Sequence, residues 1–532
     1  MIIEDIKYND IKGLDCCEKP LSSVANYLGA DFELAFSNAW EFTFESKDDY
    51  SNRRLADFIS LGDGNTLANL EKYHAVVTGW NNTRDTTKLL EIIGSELSEG
   101  RPVIIRVDLF WCTWYKNSYG QKHGEHYCLV VGINHERDEL ICRDILRSEK
   151  LILPMSDFKA GVDCCVTLRL KEDANQIRKD WREIIQSSIS RLYDTSENVN
   201  KFDEMRTFAD KIEDSLDMDK EAEGFEDTAG IPLFSILYEL SNSRLKFCVT
   251  LKYLARVNNL SVLEVEADRL TKAGNKWNTV KGMLLRLMYT EDKNAYKKRI
   301  GRKVRELADL EESIAVSLLG LTKSNNHKLE SKLDKEDTEK ESNKDFKAEF
   351  AYVDLSGVMN SKAFGNSLLE ESNANFDGVR SFFLTENTPT SEIWELNGVK
   401  FKIADLRNAQ YDNLLCEKQV VRVEEGSYSN LTVLASAEFG SYSETMIIEY
   451  EDGDKQEVLL EISDWFDMPN FGEKIAWTGN ASIRSNINDE PYLANSVNLY
   501  TQSHNLKKGK SIKAIQLPEC PNVHVFAISL SR

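Results

Sequence analysis

The chain is poor in the features that mark disulfide-rich, zinc-binding and membrane proteins. Its ten cysteines are too few for a disulfide framework in 532 residues, and no Cys-x-x-Cys motif indicates a zinc ribbon. No run approaches the roughly 18 apolar residues of a membrane span. The first residues lack a basic segment followed by an apolar core, so we expect no signal peptide. These absences favour a reduced, soluble, cytoplasmic protein without a metal or other cofactor.

Basic residues are also in short supply. Lysine and arginine number 66 against 88 aspartates and glutamates, which gives a formal net charge of −22 at pH 7. An acidic surface of this kind disfavours binding to nucleic acid and to anionic membranes. The apolar content of 41% is high enough to form buried cores, and the length favours about three domains.

The spacing of apolar residues divides the chain into four parts. Residues 1–171 mix helix-like spacing with short consecutive strands, which predict an antiparallel sheet. Residues 172–322 carry apolar residues at i, i+3 and i+4 with a single proline, Pro232, and predict a helical domain. Residues 323–347 are almost entirely charged or polar and predict a solvated linker. Residues 348–532 carry short alternating strands separated by turns, which predict a β-sandwich.

Three residues of the first part have the chemistry of a thiol nucleophile. Cys16 stands just before an apolar, helix-like run, His126 opens one strand, and Asp144 closes the next. A helix N-terminus and a neighbouring imidazolium both stabilise a thiolate, and a carboxylate orients the histidine. Spacing alone leaves a structural cysteine and a core histidine as alternatives. Cys17 is a rival nucleophile, and His123 is a rival base.

The sequence around these residues resembles a group of papain-like enzymes. The matching residues are Asp15, Cys16, Leu21, Tyr27 and Gly29, the strand His126-Tyr127-Cys128-Leu129-Val130-Val131-Gly132, and the pair Arg143-Asp144. They resemble the peptidases that trim bacteriocin leaders and, equally, the N-terminal domain of butirosin biosynthesis protein H. The resemblance covers residues 1 to about 170 and implies an α+β chain that begins with a papain-like catalytic domain.

The resemblance implies a role for each of the three residues. Cys16 is the nucleophile, His126 is the base and acid, and Asp144 orients His126. The butirosin-type family implies transfer of an aminoacyl or peptidyl group from a carrier-protein thioester to an amine, in antibiotic biosynthesis. The implied partners are an acyl or peptidyl carrier protein and a small-molecule amine. A peptidase or amidase that uses water is the alternative, and a non-catalytic ligand-binding protein is the second alternative.

One position departs from the leader peptidases. Those enzymes carry a glutamine six residues before the cysteine as a donor to the oxyanion, whereas this chain has Asp10 there. The side chain of Asn9 is one candidate substitute, and a backbone N–H group, such as that of Cys17, is another.

The C-terminal part resembles the jelly-roll modules appended to some glycoside hydrolases. The resemblance rests on motifs that include Val353-Asp354-Leu355-Ser356-Gly357, Tyr450-Glu451-Asp452-Gly453 and Ser463-Asp464-Trp465-Phe466. It implies carbohydrate binding on aromatic platforms such as Trp465 or Trp477. The alternative is a packing or dimerisation module with buried tryptophans. No acid pair suited to glycoside hydrolysis is identifiable.

Two further segments have both a functional and a structural interpretation. The aromatic segment 110–115 either walls the acyl site or packs in the core or a loop. The basic segment 297–303 either meets an acidic carrier protein or forms a solvated helix face.

Overall fold

The structure, a computed structural model, has an N-terminal part of mixed helix and strand, a helical part and a C-terminal β part. The α+β class predicted from the sequence is confirmed. The described residues are 2–45, 53–62, 64–144, 147–171, 180–193, 200–225, 228–323, 350–369, 373–485 and 489–532. Apart from Lys323, the charged linker 323–347 lies outside them. Within these ranges no helix is both long and apolar enough to cross a membrane.

The N-terminal part is a helix-flanked antiparallel sheet. Its helices are α1 (Glu18–Tyr27), α2 (Thr66–His74), α3 (Thr86–Ser98) and α4 (Met155–Gly161). Its strands are β1 (Thr43–Phe44), β2 (Ile59–Ser60), β3 (Val76–Asn82), β4 (Val103–Asp108), β5 (Glu125–Asn134), β6 (Glu139–Asp144), β7 (Arg147–Pro154) and β8 (Val162–Leu170). Strands β3 to β8 form one sheet in the order β3-β8-β4-β5-β6-β7, and β1 pairs with β2. The apolar face of α1, with Leu21, Val24 and Ala25, packs in the same core as this sheet.

The middle part contains long helices, as the i, i+3, i+4 spacing predicts. They are α5 (Trp181–Ser190), α6 (Lys201–Asp214), α7 (Met218–Ala222), α8 (Pro232–Asn258), α9 (Ser261–Leu287) and α10 (Lys293–Lys323). Their core also contains residues from the N-terminal part, among them Trp40, Phe42 and Phe58. The N-terminal segment that follows α1 is therefore buried against the helices.

A buried network around Glu311 joins these two parts. Arg244 on α8 donates to both carboxylate oxygens of Glu311 on α10, from Nε at 2.9 Å and Nη2 at 2.8 Å. The indole N–H groups of Trp40 and Trp277 donate to the same carboxylate at 2.8 and 2.7 Å. Arg244 also donates to the backbone oxygen of Glu41 at 2.8 Å. Together these hydrogen bonds satisfy the polar groups of the ion pair between Arg244 and Glu311, which is fully buried.

Removing the arginine of this network is expected to destabilise the protein strongly. Arg244→Met leaves the buried Glu311 carboxylate without its counter-charge, which costs about 3–5 kcal/mol in the free energy of unfolding. Lys252→Met, also on α8, removes an exposed ion pair with Asp268 and costs at most about 1 kcal/mol. Urea unfolding followed by tryptophan fluorescence compares the two variants, and equal losses would contradict the importance of the network.

The C-terminal part is a β-sandwich. Its strands are β9 (Phe350–Tyr352), β10 (Phe364–Gly365), β11 (Phe382–Leu384), β12 (Ile393–Leu396), β13 (Val399–Lys402), β14 (Leu414–Glu417), β15 (Val420–Ser427), β16 (Asn430–Ala437), β17 (Tyr442–Tyr450), β18 (Lys455–Ile462), β19 (Lys474–Ile483), β20 (Tyr492–Asn505), β21 (Ser511–Gln516) and β22 (Glu519–Ser531). The larger sheet has the order β10-β11-β19-β20-β16-β22-β14, with β9 beside β22. The smaller has the order β15-β21-β17-β18, and β12 pairs with β13.

Strand β22 is buried on both faces, which explains the mostly apolar stretch 523–530 within it. Val525 points into the core between the two sheets, and its neighbour Phe526 points into a second core on the opposite face. Trp465 belongs to that second core and is only 3% exposed, so it is not an open platform for a sugar. Trp477 is half-buried against Trp394, with 6.3 Å between the ring centroids.

The basic segment 297–303 of α10 contacts the sandwich. Arg299 forms an ion pair with Glu417 at 2.7 Å, and Arg302 forms one with Glu519. Lys303 is buried and donates to Glu444 at 2.8 Å. The charges of these three residues pair with acidic residues of the β-sandwich and so join it to the helical part, while contact of the segment with a carrier protein stays a prediction.

Candidate active site

The backbone before α1 forms a capping box that places Cys16 at the helix start. The carboxylate of Asp15 accepts the N–H groups of Cys17 and Glu18, both at 2.8 Å. In return the Glu18 carboxylate accepts the N–H of Asp15 at 3.0 Å. The Asp15 carbonyl accepts the N–H of Lys19 at 3.1 Å, so the helical hydrogen bonds begin at Asp15. Cys16 therefore occupies the first helical position, where the helix dipole favours a thiolate.

The other end of α1 explains the spacing from Cys16 to Gly29. Gly29 has a φ of +83°, which glycine adopts without strain. Its N–H donates to the carbonyl of Asn26 at 3.0 Å, and the N–H of Ala30 donates to that of Ala25 at 3.0 Å. This pair of bonds is a Schellman motif, which ends the helix. The glycine thus sets the length of the helix that carries the cysteine.

The register between β5 and β6 brings His126 and Asp144 together. Leu129 pairs with Arg143 in this antiparallel ladder, so continuing the register places Asp144 opposite Cys128. His126 lies two residues before Cys128 and therefore shares its face of the sheet. The imidazole and the carboxylate are diagonal neighbours on that face, within reach of each other.

His126 contacts both other members of the proposed triad. Its Nε2 lies 2.7 Å from Oδ2 of Asp144, and both side chains are buried. The ring also interacts with the Cys16 thiol. Because Nε2 faces Asp144, Nδ1 is the nitrogen left for Cys16. The structure thus brings Cys16, His126 and Asp144 together in the order that nucleophilic catalysis requires.

Two residues of the aromatic segment 110–115 extend this arrangement. Trp114 donates from Nε1 to Oδ2 of Asp144 at 2.7 Å, so one carboxylate oxygen contacts both Trp114 and His126. The hydroxyl of Tyr115 lies 3.4 Å from Nε2 of His126. The sequence left open whether this segment walls the acyl site or packs in the core or a loop, and it did not reveal the bond to the carboxylate.

Electrostatics distinguish the groups at the site. Burial lowers the pKa of His126, but its hydrogen bonds with Asp144 and Cys16 outweigh that effect and raise the pKa to about 9. Burial, together with the charges of Asp15 and Cys16, raises the pKa of the Cys17 thiol. An imidazolium beside Cys16 and a suppressed thiolate at Cys17 both favour Cys16 as the nucleophile.

The rival base lies outside this arrangement. His123 is exposed and pairs through Nδ1 with Oδ2 of Asp108 at 2.6 Å. Its ring stacks on Phe110, with 4.6 Å between the centroids. His123 therefore belongs to the loop before β5.

The candidate oxyanion donors are placed unfavourably. Asn9 uses its amide group to donate to Ser22 at 3.2 Å and to Asn26 at 2.9 Å. Ser22 is six residues beyond Cys16, or about 9 Å along the helix. The N–H of Cys17 is bound to Asp15, and Asp10 forms an exposed ion pair with Lys19 at 2.6 Å. Neither Asn9 nor Cys17 thus offers a free N–H to an oxyanion.

The backbone N–H of Cys16 differs from these groups. Within the described part of the chain it donates to no acceptor. Because it belongs to the nucleophile itself, it lies beside any carbonyl that Cys16 attacks. A donor in this position suits the stabilisation of an oxyanion.

Helix α8 supports the loop that carries Cys16. A Cβ on Gly13, whose φ is +93°, would lie 2.5 Å from Cβ of Leu245, so only glycine allows this close approach. Lys246 pairs with Glu18 of the capping box at 2.8 Å and lies 3.8 Å from Asp15. Burial raises the pKa of Glu18 to about 7, and Lys246 opposes that rise. No sequence pattern indicates these contacts, which join residues more than 200 positions apart.

Among the described residues, no three His, Cys, Asp or Glu side chains are grouped so that they could hold a metal ion.

Comparison with known proteins supports the resemblance of the N-terminal part to butirosin biosynthesis protein H and the β-sandwich of the C-terminal part. Residues 15–144 match the model of the family described as butirosin biosynthesis protein H, N-terminal. This segment begins one residue before Cys16 and ends at Asp144. Residues 349–532 match the model described as AziU2-like beta-sandwich domain. No curated protein matches the chain. The chain therefore joins an N-terminal region similar to that of butirosin biosynthesis protein H to a C-terminal region similar to the AziU2-like β-sandwich.

Proposed function

We propose that the protein is a cysteine-dependent acyltransferase of antibiotic biosynthesis. It moves an aminoacyl or peptidyl group from a carrier-protein thioester to an amine, through an acyl-enzyme on Cys16. The observation that carries this proposal is the contact of His126 with both Cys16 and Asp144. The match of residues 15–144 to the butirosin-type family supports the reaction class.

Each residue has a defined part in this chemistry. The Cys16 thiolate attacks the thioester carbonyl, and the carrier thiol leaves with a proton from the His126 imidazolium. The amine then attacks the carbonyl of the acyl-enzyme, the neutral imidazole accepts a proton from the amine, and the bond from the carbonyl carbon to Cys16 breaks to restore the thiolate. Asp144 holds the imidazole through Nε2, so that Nδ1 stays directed at Cys16. An amine acceptor is favoured over water only if the site holds the amine in place and excludes solvent.

The state of the cysteines supports a reducing location. All ten cysteines are free. A thiol nucleophile is active only in its reduced form, and the cytosol keeps thiols reduced. The proposed reaction therefore suits the cytoplasm.

A product assay separates transfer from hydrolysis. The protein is mixed with an acyl-loaded carrier protein, with and without a panel of small amines, and the products are identified by mass spectrometry. We expect an amide in the presence of the right amine and little free acid. Free acid at the same rate under every condition would identify a hydrolase. If wild type and Cys16→Ala both leave the carrier loaded, the proposal is wrong.

A further inference from the structure

An oxyanion hole beside Cys16 needs a second hydrogen-bond donor. When a thiolate adds to a thioester carbonyl, the oxygen becomes an oxyanion that is normally stabilised by two donors. The N–H of Cys16 supplies one. In the leader peptidases a glutamine at the position of Asp10 supplies the other, and Asp10 here is an exposed carboxylate in an ion pair with Lys19. The second donor must therefore come from elsewhere.

Tyr8 lies on a segment that is fixed between β6 and α1. On one side, Arg143 donates to the backbone oxygen of Ile6 at 3.1 Å. On the other side, the N–H of Asn9 donates to Oγ of Ser23 at 2.8 Å. Arg143 lies on β6, next to Asp144, and Ser23 lies on α1, the helix that follows Cys16. The two anchors hold the backbone of Tyr8 between β6 and α1.

The hydroxyl of Tyr8 is buried and has no hydrogen-bond partner among the described residues. Burial and the charges of Asp144, Cys128 and Cys16 raise the pKa of Tyr8. The phenol thus keeps its proton at neutral pH and is available as a donor. A buried donor without a partner is costly in a native protein, which calls for a reason for its presence.

We propose that the Tyr8 hydroxyl and the Cys16 backbone N–H form the oxyanion hole. This inference rests on the proposed function, because it concerns an acyl group attached to Cys16. The Cys16 sulfur forms a bond to the carbonyl carbon, and the π electrons move to the oxygen, which accepts hydrogen bonds from both donors. The carbonyl then re-forms, and the carbon–sulfur bond to the carrier breaks. The departing sulfur keeps the electron pair and takes a proton from His126, so Tyr8 keeps its own proton throughout.

The hydroxyl of Tyr115 also lies near His126, but it already has a partner. Tyr115 lies 3.4 Å from Nε2 of His126, on the side that faces Asp144. Tyr8 has no existing bond to lose when an oxyanion reaches it, and its surroundings exclude bulk water. Both conditions strengthen a hydrogen bond to a developing charge.

Two reactions of Cys16 separate stabilisation of an oxyanion from positioning of the thiol. Acylation by p-nitrophenyl acetate, or by the carrier thioester, passes through an oxyanion, whereas alkylation by iodoacetamide does not. We expect Tyr8→Phe to slow acylation by about 100-fold or more. Alkylation of the same thiol should keep its wild-type rate. Both rates are followed by mass spectrometry of the peptide that contains Cys16.

Tyr193→Phe is the matched control. Tyr193 has a buried hydroxyl that also lacks a partner among the described residues, but it lies in the helical part. Its removal should leave both rates unchanged.

If Tyr8→Phe is acylated as fast as wild type, or if alkylation slows by the same factor as acylation, Tyr8 is not an oxyanion donor. If wild type reacts with p-nitrophenyl acetate but not with a carrier thioester, the proposed function is wrong. The role of Tyr8 is then still tested by the rates with p-nitrophenyl acetate. Wild type that reacts with neither overturns both.

Discussion

Replacement of Cys16 by alanine is expected to lower the rate of acyl transfer by a factor on the order of 10⁶, because no covalent intermediate can form. Cys17→Ala is expected to stay close to the wild-type rate. The two thiols are adjacent, but only Cys16 interacts with His126, and burial raises the pKa of Cys17. The measurement is the rate of amide formation from an acyl-loaded carrier protein.

The pair of variants makes this prediction specific. Both remove one half-buried thiol from the same turn, so a general disturbance of the helix start would affect both alike. The capping bonds of Asp15 involve backbone N–H groups, which both variants retain. Equal activity of the two variants, or a greater loss for Cys17→Ala, would contradict the assignment of Cys16.

Replacement of Asp144 by alanine is expected to slow transfer by about 10²–10⁴-fold, which is the usual contribution of a well-placed acid and base. Without the carboxylate, Nε2 of His126 and Nε1 of Trp114 both lose their acceptor. Asp144→Asn should lose much less activity. A single oxygen contacts both donors in the native protein, and the amide oxygen of asparagine can accept from both.

The asparagine variant should instead change the pH dependence. Asp144 and Cys16 hold the pKa of His126 at about 9, and the reaction needs the imidazolium. Wild-type activity should therefore fall as the pH rises through about 9. Without the negative charge the pKa of His126 moves down toward its ordinary value of about 6.5, so the alkaline limb moves to lower pH. The measurement is the pH profile of kcat/KM, and an unmoved alkaline limb in Asp144→Asn would argue against this role.

The parts of the site that were predictable depend on local signals. The stretch after Cys16 has the apolar spacing of a helix, and Gly29 marks the end of that helix. The strands that begin at His126 and end at Asp144 are consecutive, and antiparallel pairing brings these ends together. Such features depend on a few neighbouring residues or on one hairpin. They were enough to predict the α+β class and to single out Cys16, His126 and Asp144 as candidates before any packing was known.

The parts that were missed depend on packing between distant segments. Lys246 and Leu245 reach the nucleophile loop from α8, and no local pattern indicates which face of a long helix meets which loop. Trp40 has the pattern of an ordinary apolar residue, but it joins the core of the helices. Tyr8 precedes residues 15–144, the segment that matches the family model. Only the hydrogen bonds of Arg143 and Asn9 show why it lies near the triad.

The most direct test of the central claim is mass spectrometry of the protein, intact and as peptides, after brief mixing with an acyl-loaded carrier protein. The account predicts that wild type gains the mass of one acyl group on the peptide that contains Cys16. Cys17→Ala should gain it too, and Cys16→Ala should not. Added amine should remove the adduct from wild type and yield the amide. An adduct on another residue, or transfer by Cys16→Ala at the wild-type rate, would contradict a Cys16 acyl-enzyme.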